Sequence, residues 1–262
     1  MNAGERDELV LILKLIDCRD SGQTVPQFGT PQKVGFYSGA TYFEYPSIPT
    51  GISFQSIALM DNTSLADLTK NMGISKAASN YKADVVINGY GVSLKSTRKA
   101  PPAIVNHTNR KGIEFAAAKS GGNMAELDKL VAEYWQLRDE GKINQDVKNS
   151  DPNSPFSKKL IVLKPFLNYF IFDGTGSRLS KAKADYVLSF KNAASISTWS
   201  VSNRSNTVGL YWNNMVFSMR GKGLPKNYPN VSSRSKAALP SIKQWTRKVD
   251  DKFKGTLHVR TS

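Results

Sequence analysis

The sequence predicts a mixed α/β chain with a strand-rich, basic second half. Two observations carry the class: helical periodicity through much of the first half, and short β-branched or aromatic runs beyond residue 155. A third feature accompanies them, a steep rise in positive charge after residue 75. With 262 residues and 40% hydrophobic side chains, the chain is long and apolar enough to bury a substantial core. No apolar run approaches the roughly 20 residues of a bilayer-spanning helix. The opening MNAGERDELVLILKL carries charge where a secretory leader would be apolar, and Cys18 is the single cysteine. A soluble, cytoplasmic protein is expected, without an internal disulfide, a thiolate metal cluster or a membrane partner.

Residues 4–19 read as an amphipathic helix with Leu9, Ile12, Leu13 and Ile16 on one face. Residues 24–56, rich in Pro, Gly, Tyr and Phe, read as irregular structure with short strands. Ser64 is expected to cap a helix over 65–72 that Gly73 closes. Residues 83–96 read as a hairpin, with Asn88-Gly89-Tyr90-Gly91 turning between two strands. Residues 103–118 are weakly helical. Asn123 caps a helix reaching Glu140, with Leu127, Leu130, Val131, Tyr134 and Leu137 inward and Gly141 as its stop. The polar stretch 149–155 is the sharpest break, and splits one domain, 1–262, into a helical, hairpin-bearing portion (1–148) and a strand-rich portion (156–262). In the latter, strands are expected at 160–163, 169–172, 186–190, 209–211 and 215–219, then a helix at 241–252 and a closing strand at 255–260.

Lys and Arg number 36 against 21 acids, a net charge of +15. Residues 1–75 hold five basic and eight acidic side chains, which leaves a net +18 on residues 76–262. Such a field draws in polyanions. The cations are interleaved with Asn, Ser, Thr, Tyr and Trp in strand-like stretches, not arrayed along an amphipathic helix, so nucleic acid is expected rather than membrane.

The hairpin carries the chemistry. Asp84 opens one strand and Ser93-Leu94-Lys95 lies on the other, so the turn returns the lysine toward the aspartate. Ser93 and Lys95, two residues apart, share a strand face. A carboxylate, a hydroxyl and an ammonium converging at a sheet edge suit phosphodiester hydrolysis. The carboxylate can hold Mg²⁺, a hard cation that takes oxygen ligands, and the lysine can orient a water and offset phosphate charge.

Ala83-Asp84 followed by Ser93-Leu94-Lys95 resembles the PD-(D/E)xK nuclease motif, in which an Asp starts one strand and (D/E)xK sits on the next. The resemblance implies a restriction-endonuclease-like fold, a mixed central β-sheet flanked by helices. It implies a type II restriction endonuclease that hydrolyses both strands of double-stranded DNA at a short specific sequence with Mg²⁺ as cofactor. Asp84 would hold the metal, Lys95 position the water, and Ser93 stand where the motif has its second acid. Ala83 replaces the proline of the motif. S-x-K variants in this family recruit the missing acid from a following helix, a region that Glu114 occupies; Glu8 on the N-terminal helix is the other candidate. Glu5 reads as a solvated helix residue. The class further implies a homodimer on a symmetric site and a cognate DNA methyltransferase in the same system.

Arg98 and Lys99 follow the hairpin where it would meet DNA. His107, Arg110, Lys191, Arg204, Arg220 and Lys222 are further candidates for DNA contact, with Arg220-Gly221-Lys222-Gly223 offering backbone N–H groups as well as cations. Arg204, with Asn203, Asn206, Asn213 and Asn214, suits base reading in the major groove. Trp199, Tyr211, Trp212 and Trp245 read as packing residues. A second Asp-Ser-x-Lys set, Asp185 with Ser189 and Lys191, is too closely spaced for strand–turn–strand geometry. Two other functions fit parts of the sequence. Residues 64–79 resemble a helix-turn-helix with its second helix starting near Ser75, as in a non-catalytic DNA-binding regulator. The aromatic, basic second half would also suit an RNA-binding protein.

Overall fold

In the computed structural model, all residues are described except 76, 79, 99–102 and 262, together with the side chain of Arg234. The chain divides into two compact units, one of residues 1–100 and 180–204, the other of residues 101–179 and 205–262. The first unit opens with α1 (Ala3–Ser21), β1 (Val34–Ser38), β2 (Thr41–Glu44), α2 (Phe54–Leu59), α3 (Asn62–Asn71), β3 (Val85–Ile87) and β4 (Tyr90–Ser96). The second follows with β5 (Ala103–Asn109), α4 (Arg110–Ser120), α5 (Met124–Asp139), β6 (Asp146–Lys148) and α6 (Leu160–Asn168). The chain returns to the first unit for β7 (Tyr186–Phe190) and β8 (Trp199–Asn203). It ends in the second with α7 (Thr207–Tyr211), β9 (Met215–Arg220), α8 (Ser233–Lys236), α9 (Leu239–Trp245), β10 (Arg247–Val249), β11 (Lys252–Lys254) and β12 (Thr256–Thr261). The molecule is thus mixed α/β, with a mixed sheet and flanking helices. Among the described residues, no helix is long and apolar enough to cross a membrane.

The first unit is built on a six-stranded sheet in the order β2-β1-β3-β4-β7-β8. Only β4 and β7 run parallel; their register sets Ser93 beside Val187 and Lys95 beside Ser189. A parallel pair needs a long crossover, and here residues 97–185 supply it, with most of the second unit inside it. Helix α1 starts from a capping box between Asn2 and Glu5 and stops at left-handed Gly22. It is buried more fully than an amphipathic surface helix, since Val10, Leu11, Ile12, Leu13, Leu15, Ile16 and Cys18 all lie in one core with Val85, Val92, Leu94 and Leu188.

The β3–β4 hairpin turns on two residues, Asn88 (φ 52°) and Gly89 (φ 88°), rather than on four. Positive φ at both central positions is what a tight twisted hairpin demands. Tyr90 and Gly91 therefore belong to β4. At Gly91 a Cβ would stand 2.3 Å from the Lys183 carbonyl oxygen, so backbone packs directly on backbone there. The cap of α3 is Asp61, which accepts from the N–H groups of Thr63 and Ser64, and not Ser64 itself. Gly73 closes that helix in the left-handed region, but no second helix begins near Ser75: the described residues between 74 and 81 are non-helical. Residues 76 and 79 of the helix-turn-helix reading lie outside the described residues.

The second unit has a four-stranded sheet, β5-β12-β9-β6, antiparallel throughout, and the β10–β11 ribbon. Its strand content is lower than the sequence suggests. Residues 160–163 and 169–172 form α6 and a π-helical turn at Tyr169–Asp173. The apolar run from 160 to 172 is longer than a strand, and such a run does not by its period distinguish a strand from a helix. Residues 209–211 are helical in α7, and 103–118 divide into β5 and α4 at Asn109, whose side chain caps Gly112. The helix expected at 241–252 ends at Trp245, and the remainder forms the β10–β11 ribbon. The stretch 149–155 lies within this unit, anchored where the buried Asn149 donates to the Trp212 carbonyl.

Candidate active site

The register Val85↔Val92 makes Asp84 and Ser93 the next opposed residues, just where β3 begins and the two strands part. Asp84 N–H still donates to the Val92 carbonyl at 2.9 Å. One residue further along β4, the Leu94 N–H has no strand partner on that side, and Asp84 Oδ2 accepts it at 2.7 Å. The same oxygen accepts the hydroxyl of Ser93, which is 2% exposed, at 3.2 Å. Asp84 thus closes the fork between the strands with one carboxylate oxygen. Among the described residues, Oδ1 has no hydrogen-bond donor.

Asp84 lines two cavities of the first unit. One, of about 280 Å³, is walled by Met1, Glu5, Glu8, Leu9 and Ile12 from the start of the chain and by Ile74, Ser75 and Ala77. The other, of about 180 Å³, is walled by β1 residues Phe36, Tyr37 and Ser38, by Tyr81, and by the start of β3. Ser75, Ala77 and Asp84 belong to both walls. Lys95 lies two residues beyond Ser93 on the same strand face, half-buried, and makes no hydrogen bond or ion pair among the described residues. Two carboxylates, Asp84 and Glu8, therefore share one cavity, and Glu5 joins its wall while accepting the Asn2 N–H in the helix cap. Among the described residues no group of three or more His, Cys, Asp or Glu side chains is arranged to hold a metal ion.

Asp7 is the residue that sequence reading missed here. Buried on α1 beside Glu8, it accepts the Ser96 hydroxyl at 3.1 Å and pairs with Arg98 at 3.3 Å. This double contact ties the first turns of α1 to the end of β4, and so holds the Glu8 side of the cavity against the hairpin. An acid inside a helix stretch that is otherwise apolar on its inner side was the available signal. Arg98 is half-exposed, Lys191 is exposed at the end of β7, and Arg204 is exposed after β8. Lys99 lies outside the described residues.

Glu114 and Arg110 lie on α4 in the second unit. Arg110 is 8% exposed and donates to both oxygens of Asp128, at 2.9 and 2.6 Å, to Glu114, and to the Ser241 hydroxyl at 3.1 Å. Glu114 also accepts from Lys111 at 3.1 Å and from Ser241 at 2.9 Å. Burial alone would raise the Glu114 pKa, but the bonds from Lys111 and Ser241 and the two adjacent cations outweigh it and hold the group below its ordinary value. Arg110 is raised, chiefly by its bonds to Asp128. These two residues form an ion cluster with Asp128, Lys111 and Ser241 of α9.

His107, at φ 49°, stacks flat on His258 with ring centroids 4.3 Å apart and planes 6° from parallel. Burial, then His258, Lys222 and Arg220, push the His107 pKa down to about 4. His258 is lowered for similar reasons, burial first and Arg220 next. Since the folded pKa lies below the unfolded one, the unfolded chain binds protons first as pH falls. The contribution of His107 is whole above pH 6.5 and is lost between there and about 4. His107→Asn keeps a residue tolerant of the left-handed region. Its thermal midpoint should fall several degrees less than that of the unsubstituted protein when pH is lowered from 7.5 to 4.5. Equal losses in calorimetry would show that this pair does not govern acid stability.

Arg220 and Lys222 lie at and just beyond the end of β9, where Arg220 pairs with Asp146 and donates to Ser218 Oγ at 3.0 Å. Lys222 is exposed. No protein-family model, curated protein or solved structure matches the chain.

Proposed function

We propose that the protein is a Mg²⁺-dependent endonuclease of the PD-(D/E)xK type, restriction-endonuclease-like in fold, that hydrolyses phosphodiester bonds in double-stranded DNA at a short specific sequence. One observation carries the reading. Asp84 is anchored at the strand fork through Oδ2, its Oδ1 is without a donor among the described residues, and it shares a cavity wall with Glu8 at the base of the hairpin that bears Lys95. Hard carboxylate oxygens with room for waters are the donor set that Mg²⁺ accepts, so the residues fit that ion. Asp84 and Glu8 would hold it, which makes Glu8 rather than Glu114 the acid that completes the site.

A bound Mg²⁺ would supply charge stabilisation for the phosphate and a lowered pKa for a water. The chain's own groups do the rest. Ser93 donates to Asp84 and so orients the carboxylate where the motif would have a second acid. Lys95, which lines neither of the two cavities at Asp84, would have to reach past the strand end to orient the attacking water and offset phosphate charge. The apolar walls contributed by Leu9, Ile12 and Ile74 lower the local dielectric around these charges.

The charge balance favours a polyanionic substrate. The second unit carries 22 basic and 11 acidic side chains, a net +11, against 14 and 10 in the first. Double cutting of a symmetric site suits a two-fold dimer, and a cell that kept such an enzyme would need the partner methyltransferase to protect its own DNA. Incubation with supercoiled plasmid should yield discrete linear fragments with Mg²⁺ and none with EDTA. Plasmid left intact by Mg²⁺ and Mn²⁺ alike would remove the nuclease assignment.

A further inference from the structure

The second unit's four-stranded sheet has two unlike faces. On one, Val147, Phe217, Met219, Leu257 and Val259 are buried. The other is mixed: Val216 and Ser218 are buried along its middle, charged side chains flank them, and the register aligns these residues in rows. Asp146 lies opposite Ser218, which lies opposite His258; Lys148 lies opposite Val216, which lies opposite Arg260. Arg220 follows at the end of β9, with exposed Lys222 beyond it. Residues opposed across antiparallel strands share a face, and the contacts agree: Asp146 pairs with both Arg220 and, at 3.4 Å, Arg260. The two arginine side chains are each 29% exposed and Asp146 38%, so the cluster is open to a ligand. The stacked imidazoles of His107 and His258 stand beside it.

A guanidinium fork fits carboxylate and phosphate in the same two-pronged way. Two arginines converging on one exposed carboxylate therefore define a place that suits a phosphate, filled here by Asp146. Around that place Lys148 and Lys222 are exposed, and Asp146 is the one acid in the cluster among the described residues. We propose that this sheet face is the backbone-gripping surface for duplex DNA: Arg220 and Arg260 together clasp one phosphate, Lys148 and Lys222 bind its neighbours, and Asp146 competes with phosphate for the two arginines. The choice of duplex DNA rests on the nuclease reading above. The geometry of the phosphate grip does not.

The test is binding of a fluorescent 30-base-pair duplex, followed by anisotropy in EDTA across a salt series so that no cutting intervenes. Arg220→Gln with Arg260→Gln should weaken binding about 10²-fold, as expected for loss of two charged hydrogen-bonding contacts. It should also flatten the slope of log K against log salt by about 1, at roughly 0.9 for the one phosphate that the two arginines share. The exposed pair Lys148→Gln and Lys222→Gln, which breaks no internal contact among the described residues, should flatten the slope in the same sense. Asp146→Asn should bind several-fold more tightly, a gain that a folding defect does not mimic. Wild-type affinity and slope in both double variants, or no tightening in Asp146→Asn, overturns the proposal. So does a single-stranded RNA that displaces the duplex at lower concentration than unlabelled duplex does. The two readings fail separately. A protein that cuts plasmid yet is indifferent to these substitutions loses the sheet face alone, and one that shows the arginine dependence but never cuts loses the nuclease alone.

Discussion

Asp84→Asn is expected to abolish Mg²⁺-dependent cutting while leaving the hairpin folded. The amide oxygen of Asn can still accept the Leu94 N–H and the Ser93 hydroxyl, so the fork between β3 and β4 keeps its closure. What disappears is the negative charge that a divalent ion needs. If the ion contributes several kcal/mol to the transition state, the rate falls by about 10³-fold or more. Asp84→Ala serves as the contrast, because it removes the ion site and also leaves the Leu94 N–H without its acceptor, a further loss of about 1 kcal/mol in stability. Plasmid cutting, Mg²⁺ titration calorimetry and thermal melts together separate the two roles of this carboxylate. Cutting by Asp84→Asn at the wild-type rate would place the chemistry elsewhere.

Glu8→Gln and Glu114→Gln should behave as opposites. Glu8 shares the cavity with Asp84. Its amide variant should cut about 10²-fold more slowly at limiting Mg²⁺, and more of that ion should restore part of the rate, because an amide oxygen is still a ligand although a weaker one. Glu114→Gln removes a charge that faces the buried Arg110 and accepts from Lys111 and Ser241. Asp128 still pairs with Arg110, and Glu114 is partly exposed, so the loss should be about 1–2 kcal/mol of stability. Cutting per folded molecule should stay within about threefold. The reverse pattern, with Glu114→Gln inactive and Glu8→Gln intact, would reassign the second acid.

Much of the candidate site is legible along the chain. The turn's place was legible, since Asn and Gly tolerate the positive φ a tight hairpin requires, although the reading spread it over Asn88-Gly89-Tyr90-Gly91 and the structure closes it in two residues. Once the turn is fixed, alternation sets Ser93 and Lys95 on one face and brings Asp84 opposite Ser93. Where Glu8 and Glu114 lie was not legible, since each sits on a helix whose neighbours are decided by packing between residues distant in sequence. Asp7 was hidden for the same reason: its partners Ser96 and Arg98 lie about 90 residues further along. The strands expected at 160–163 and 169–172 failed on a different ground. A continuous run of large apolar residues is compatible with a buried strand or a buried helix, and only the surrounding core selects one.

By itself, the sequence determined what interactions within a few residues can determine: the cap at Asn123, the turn at Asn88-Gly89, the alternation along β4, and the sign of the electrostatic field. Only the tertiary structure decided the parallel pairing of β4 with β7, the split of the chain into two discontinuous units, the burial of Arg110 against Asp128, and the meeting of Arg220 and Arg260 on Asp146. The reason is physical. Local bonds form between groups that the chain already holds together, whereas distant groups meet only when burial of a whole core repays the entropy of closing the long loops between them.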